Sequence, residues 1–268
     1  MAHAKLNSGP NRISKNDYWI EKTVRENLCM NESYRILEWD SQFFEFPVAE
    51  ISTKNLTVEQ IRCMLDELRK HEIRLVFWAS LNRMDEHAMS ALNGILANQK
   101  ITYLCDLSAQ HPLNWPGMDR VVPYTSSVPV SDLEHLALLS GSYSRFNVDP
   151  RIPNKKFKML YKQWIHKSLS HEMADEVLVI RVQNQTAGMV TVGQKQGRGD
   201  IGLVAVDSPF RGKGYGEMLV RAAQKYWIDR AYSMMQVVTQ KSNIPACRLY
   251  QKCGFFADHS EFLYHIWL

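Results

Sequence analysis

The stretch from Ile201 to Gly216, IGLVAVDSPFRGKGYG, carries residues suited to holding an anion. An apolar, β-prone run (Ile201, Leu203, Val204, Val206) ends in a turn made of Arg211, Gly212, Lys213, Gly214, Tyr215 and Gly216, and a helical pattern follows at once. Such a turn points successive backbone N–H groups at one place, at the positive end of a helix, and a pyrophosphate fits there. Glycine at these positions lets phosphate oxygens come close to the backbone. A dinucleotide-binding fingerprint would want an acidic residue about twenty positions later at a strand end, and a P-loop would want Gly-Lys followed by Ser or Thr. Neither is present.

A second constellation follows: Asn243-x-x-Ala246-x-x-x-Tyr250-x-x-x-Gly254-Phe255. Asn243 is placed to cap a helix, and Tyr250, two helical turns on, shares its face. Spacing alone leaves Tyr250 either a reactive hydroxyl or a core aromatic beside Leu249.

Regular elements must position these groups. Tyr34–Trp39 and Val48–Ser52 are expected as short strands. Thr57–His71 is expected as a helix capped by Thr57, with Ile61, Met64, Leu65 and Leu68 on one face. Arg74–Ala79 reads as a strand, Asp85–Asn98 as a helix and Ile101–Leu107 as a strand. Residues 108–131, with Pro112, Pro116, Pro123 and Pro129, read as a loop, a short strand near Val121 and a linker. Ser131 and Glu134 have the spacing of a capping box opening a helix. Asn154–Ser170 is a second, aromatic-rich helix. A hairpin of Glu176–Val182 and Ala187–Gly193, a strand at Asp200–Val206, a helix at Glu217–Ala231, a strand at Met234–Thr239 and a helix at Ile244–Lys252 come next. Phe255-Phe256 and Glu261–Trp267 close the sheet. The expected domains are a polar extension (1–30), an N-terminal α/β domain (31–125) and a C-terminal catalytic domain (131–268).

Composition bounds the function. The 268 residues carry 45% hydrophobic and 22% charged side chains, enough for a substantial core, and a net charge of +4 with no dense Lys/Arg stripe. That argues against nucleic acid as a partner. Five cysteines (Cys29, Cys63, Cys105, Cys247, Cys253) without a CxxC pair read as reduced thiols, and nine histidines without HxxxH spacing give no metal site. The first thirty residues lack the apolar core of a secretory signal, and no apolar run approaches the roughly 18 residues of a membrane helix. The expectation is a soluble, cytoplasmic protein with no membrane partner.

Over residues 131–268 the two motifs resemble the acyl-CoA signature of the GNAT N-acetyltransferase superfamily, and N-x-x-A-x-x-x-Y-x-x-x-G-F is met in full. The resemblance implies a GNAT fold: a mixed, mostly antiparallel central sheet with flanking helices, in the broad α/β (α+β) class, here preceded by the smaller α/β domain. It implies acetyl-CoA or another acyl-CoA as co-substrate. Val204 and Val206 would pair with the pantetheine arm, with Ala205 between them in the cofactor-binding set, and an amide near Val206 would stabilise the oxyanion. The turn Arg211, Gly212, Lys213, Gly214, Tyr215, Gly216 would hold the pyrophosphate, and Asn243 would contact pantetheine. Tyr250 would protonate the leaving thiolate, since an ordinary phenol (pKa about 10) and thiol (about 8.5) lie close.

Three further segments narrow the resemblance: Leu37–Phe44 (LEWDSQFF), Ser144–Ile165 and the terminal Tyr264-His265-Ile266-Trp267. Together they resemble the bacterial TDP-fucosamine acetyltransferase group. That implies transfer of an acyl group, acetyl by default or a hydroxybutanoyl chain, to the amine of a nucleotide-linked (dTDP) amino-deoxysugar for surface polysaccharide such as O-antigen. Arg145, Asp149 and Arg151 are the expected acceptor contacts, arginine through its fork of donors toward a diphosphate. The alternatives are an acetyltransferase of the same superfamily acting on a protein, peptide or other small amine, and a CoA-binding module without turnover. No general base is assigned; His166, His171 and His259 are candidates by type alone. Trp39-Asp40 with Phe43-Phe44 reads as a hydrophobic plug sooner than a binding platform. The Lys155, Lys156, Lys158 cluster reads as solvated. The terminal strand, ending at Leu268, is a candidate surface for homo-oligomer pairing.

Overall fold

The computed structural model describes residues 33–109 and 117–268. The polar extension 1–30, with Cys29, lies outside the described residues, as does the stretch 110–116 with Pro112 and Pro116. In chain order the elements are β1 (Tyr34–Ile36), α1 (Glu38–Phe44), β2 (Val48–Ile51), α2 (Val58–Lys70), β3 (Leu75–Ser80), α3 (Glu86–Ala91), β4 (Gly94–Asp106), β5 (Val121–Pro123), α4 (Val130–Ser140), α5 (Arg145–Val148), α6 (Asn154–Leu169), β6 (Glu176–Val182), β7 (Gln185–Lys195), β8 (Arg198–Val206), α7 (Tyr215–Ile228), β9 (Met234–Gln240), α8 (Ile244–Lys252) and β10 (Phe256–Trp267).

Among the described residues ten strands form one sheet in the order β1-β2-β3-β10-β4-β9-β8-β7-β6-β5. Only β2–β3 and β8–β9 run parallel. Described strands from both expected domains therefore share a single sheet, with β4 inserted between β10 and β9. The terminal strand is interior: β10 pairs with β3 on one side and β4 on the other, so it offers no free edge for pairing with a second copy. Side-chain alternation sorts the core. Leu75 and Phe77 of β3 join Val177 and Val179 of β6 under α4, α5 and α6, whereas Val76 and Trp78 pack with α2 and α3. On β6, Leu178 and Ile180 join a third cluster under α7 and α8.

Local chemistry explains where the elements begin and end. Thr57 caps α2 in a complete capping box with Gln60. The helix expected over Asp85–Asn98 stops at Ala91, because Asn93 takes a left-handed conformation (φ 57°) and the chain turns at Gly94 into β4, a long strand. The strand expected through Trp39 ends at Ile36, and α1 takes over, closed by Glu45 at φ 67°. The Ser131 capping box does not form: α4 starts at Val130 behind Pro129, without a side-chain cap. Glu134 instead accepts from Lys162 (2.6 Å) and His166 (2.8 Å), tying α4 to α6. Helix α7 begins at Tyr215, inside the glycine turn.

Candidate active site

Strands β8 and β9 part company in the middle of the sheet. They pair in parallel only from Gly199–Met235 to Ile201–Val237. Beyond that point β8 stays with β7, through Val204–Val190, Ala205–Met189 and Val206–Gly188, and leaves β9 behind. A bulge marks the parting: the register shifts between Val190 and Val192, and the Leu203 N–H donates to Thr191 Oγ1 (2.8 Å). Backbone groups of β8 that would have met β9 face an opening.

That opening is the bottom of a cleft of about 640 Å³. Val204, Ala205 and Val206 line one wall, with the turn residues Arg211, Gly212, Gly214, Tyr215 and Gly216 at one end and Asn243 and Tyr250 on the facing helix. Lys213 is absent from the lining, and its ammonium lies 5.5 Å from the Phe210 ring centre. Gly212 (φ 76°) and Gly214 (φ 82°) are left-handed, and a Cβ at either would enter empty space, so the turn is shaped by backbone conformation and leaves a cradle open. Gly214 is the N-cap of α7 and gives no side-chain cap, so the first N–H groups of the helix remain free for an anion. Arg211 is partly committed: its Nε–H donates to the Val206 carbonyl (3.0 Å) and binds the turn to the strand end. Asn243 caps α8 through Oδ1, accepting from Ala246 N–H (3.3 Å), which leaves its amide NH₂ for a ligand.

Tyr250 is buried in the wall of this cleft, with its ring 6.0 Å from Tyr103 and 5.9 Å from Phe255. Burial pushes its phenol well above the ordinary value. The hydroxyl is thus firmly protonated at neutral pH, a donor and not an anion.

A second cleft of about 610 Å³ opens on the other side of the parting strands. The two clefts share Gly202, Val238, Gln240, Tyr161 and Trp164, so they meet where β8 leaves β9. Three carboxylates (Asp40, Glu50, Asp200) and three cations (Arg145, Lys100, Lys195) line the second cleft. Asp200 stands two residues before Gly202; Gln236 donates to it (3.0 Å), and burial raises its carboxyl above the usual range. Sequence reasoning passed over Asp200, although an acid leading directly into the apolar run before the glycine turn was its signal.

Of the three expected acceptor contacts, the structure brings Arg145 alone into this cleft. Asp149 is 1% exposed and is consumed by the frame: it accepts from His265 Nδ1 (2.8 Å), Trp267 Nε1 (3.0 Å) and the Arg151 N–H (2.9 Å). Arg151 donates to Asn93 Oδ1 (2.8 Å) and lies over Trp267. Neither lines a cleft, because the Asp149-Pro150 turn directs both toward the end of β10. His166, His171 and His259 are likewise outside both clefts, paired with Glu134, the Asp175 carbonyl and Asp258. The four described cysteines are free, and burial pushes the Cys253 thiol up to about 12, against a reactive role. Among the described residues no helix is long and apolar enough to cross a membrane.

Residues 142–255 match the model of the Acetyltransferase (GNAT) family. A solved GCN5-related N-acetyltransferase from Sphaerobacter thermophilus superposes with a TM-score of 0.55, at 14% identity, over 87% of this chain and 75% of that one. The fold is the GNAT fold. Among curated proteins, the spore coat polysaccharide biosynthesis protein SpsD of Bacillus subtilis is 26% identical over 132 residues, 49% of this chain and 45% of its own. Streptothricin acetyltransferase from Escherichia coli is 40% identical over 52 residues, 19% of this chain and 30% of its own. The matches thus span less than half the length of either relative. The parting of β8 and β9, the glycine turn and Tyr250 lie on one cleft.

Proposed function

We propose that the protein is an acyl-CoA-dependent N-acyltransferase, with the 640 Å³ cleft holding the donor and the 610 Å³ cleft the acceptor. The observation that carries this reading is the meeting of the two clefts at Gly202, Val238 and Gln240, where β8 leaves β9. Bound acyl-CoA supplies an activated thioester carbonyl. The N–H groups of Gly212, Gly214, Tyr215 and Gly216 hold the pyrophosphate. The open edge of β8 from Leu203 to Val206 and the Asn243 amide hold the pantetheine arm. Asp200 takes one proton of the acceptor ammonium, the C–N bond forms as the C–S bond breaks, Tyr250 gives its proton to the departing sulfur, and the second proton shed by the acylated nitrogen restores the Tyr250 phenol through solvent. Alignment of two reactants across the opening supplies much of the rate, so no covalent intermediate on the protein is required.

The acceptor we infer is the amine of a nucleotide-linked amino-deoxysugar, with acetyl as the default acyl group. Support comes from the Leu37–Phe44 and Tyr264–Trp267 segments, from the polysaccharide role in the printed name of SpsD, and from a cleft rich in aromatic and planar polar side chains. The local match to streptothricin acetyltransferase favours a second reading, in which the acceptor is another small-molecule amine. Release of CoA thiol from acetyl-CoA separates them when it is followed with TDP-linked amino-deoxysugars bearing the amine at different ring positions, a UDP-amino sugar, streptothricin and a lysine peptide. Turnover with a nucleotide sugar supports the first reading; turnover with streptothricin or the peptide alone overturns it.

A further inference from the structure

We propose that Trp39, Asp40 and Arg145 form a subsite that reads the ring face and hydroxyls of the acceptor, and that Arg145 does not serve its phosphates. The inference rests on the acceptor reading above and names the residues that give it selectivity.

Helix α1 is fastened on both sides. Ser41 Oγ donates to the Leu37 carbonyl (2.7 Å) and accepts from the Val48 N–H (2.9 Å). Lys156 of α6, expected to be solvated, is 7% exposed and donates to the Phe43 carbonyl (2.6 Å) and Glu45 (2.7 Å). The aromatic cluster expected as one plug therefore divides. Phe44 is the plug, 4% exposed in the core. Trp39 remains 41% exposed in the wall of the acceptor cleft, backed by Phe43 in a nearly parallel stack (5.2 Å, 8°). A tryptophan held rigid with one face covered and much of its surface uncovered offers a flat apolar wall at little entropic cost.

The polar half of the subsite is equally distinct. The Arg145 guanidinium lies 4.0 Å from the Phe77 ring centre and 4.6 Å from that of Phe146. Burial there lowers it to about 10. Among the described residues it makes ring contacts but no hydrogen bond or ion pair, so five N–H donors at the cleft wall have no protein acceptor. Asp40 and Arg145 feel each other's charge, yet they do not pair, and burial raises Asp40 despite the arginine. An arginine fork with no protein acceptor and a carboxylate that meets only its own backbone N–H, on the wall of one cleft, match neighbouring hydroxyls, each of which donates and accepts. A phosphate only accepts. It would bring Asp40 no donor and would stand beside the carboxylates of Asp40 and Glu50. The cation on the cleft wall left for phosphates is Lys195 of β7, since Lys100 of β4 is paired with the buried Glu261.

The test is calorimetry on the protein saturated with CoA, which cannot transfer, titrated with glucosamine, a dTDP-linked amino-deoxyhexose and dTDP. Trp39→Ala and Asp40→Asn are each expected to weaken both sugars about tenfold or more, to leave dTDP and CoA affinity unchanged, and Trp39→Phe is expected to restore most of the loss. Unchanged sugar binding in both variants, with sugar-dependent thiol release intact, overturns the subsite and leaves the acceptor reading standing. Equal weakening of dTDP and sugar assigns the residues to the nucleotide and also overturns it. Absence of sugar binding in the unaltered protein, alongside turnover of another amine, overturns both readings together.

Discussion

Asp149 Oδ2 lies 2.8 Å from His265 Nδ1, and both residues are at most 1% exposed. The pair joins the α5 turn to the last strand directly behind Phe77 and Phe146, the rings that carry Arg145. Asp149 accepts, so the histidine proton sits on Nδ1, and Nε2 is left buried without a partner. Burial lowers His265 well below its usual value; the Asp149 hydrogen bond offsets this only in part.

This pair makes stability depend on pH. The unfolded chain binds a proton on His265 near pH 6.5, whereas the folded chain does so only at lower pH. Stability is therefore full above about pH 6.5 and falls as pH drops below it. Asp149, held below the usual carboxylate range by the His265 bond against desolvation, adds a further loss at lower pH with the same sign. Urea midpoints should fall between pH 7 and 5, and less so in His265→Gln after allowance for its lower starting value. A flat profile for the unaltered protein refutes the linkage. Asp149→Ala, which strips the acceptor from three N–H donors, should cost about 3 kcal/mol.

The glycine turn should respond to conformation and not to bulk. An alanine at 214 meets no atom within 4 Å but must hold φ near 82°. The strain is about 1–2 kcal/mol. Relief of that strain moves the N–H groups of the turn, so KM for acetyl-CoA should rise about tenfold with little change in the acceptor KM. Equal effects on both substrates would mean that the turn serves the fold alone.

Tyr250→Phe keeps the ring against Tyr103 and removes the proton donor. kcat should fall by about 10²-fold with CoA affinity unchanged. Unchanged turnover removes Tyr250 from the chemistry.

Asp200 must be ionised to accept a proton, and burial raises its pKa. The rate should therefore be lost as pH falls through that raised value and rise toward a plateau above it. Asp200→Asn should abolish this acid limb and lower kcat by about 10²-fold. An acid limb that survives in the variant assigns the base elsewhere.

The cleft lined by the two motifs was legible because they are local. Val204–Gly216 and Asn243–Tyr250 are continuous segments whose turn chemistry and helical spacing state their own geometry. The second cleft was not, because α1, β2, β4, α5, β7 and β8 contribute to it from positions far apart in the chain, and only the tertiary fold puts Asp40, Lys100, Arg145 and Asp200 on one cleft. Asp149 and Arg151 misled because a polar loop next to a cleft helix has two sides, and burial against β10 claimed one of them. The interior place of β10 followed from long-range pairing that no local pattern announces.

The most direct measurement is the appearance of CoA thiol from acetyl-CoA with and without a TDP-linked amino-deoxysugar, with the sugar product analysed by mass. The account predicts release that requires the sugar and matches, mole for mole, a sugar carrying one added acetyl group on nitrogen. Release at the same rate without any amine, or no release with any amine while acetyl-CoA is bound, would contradict it.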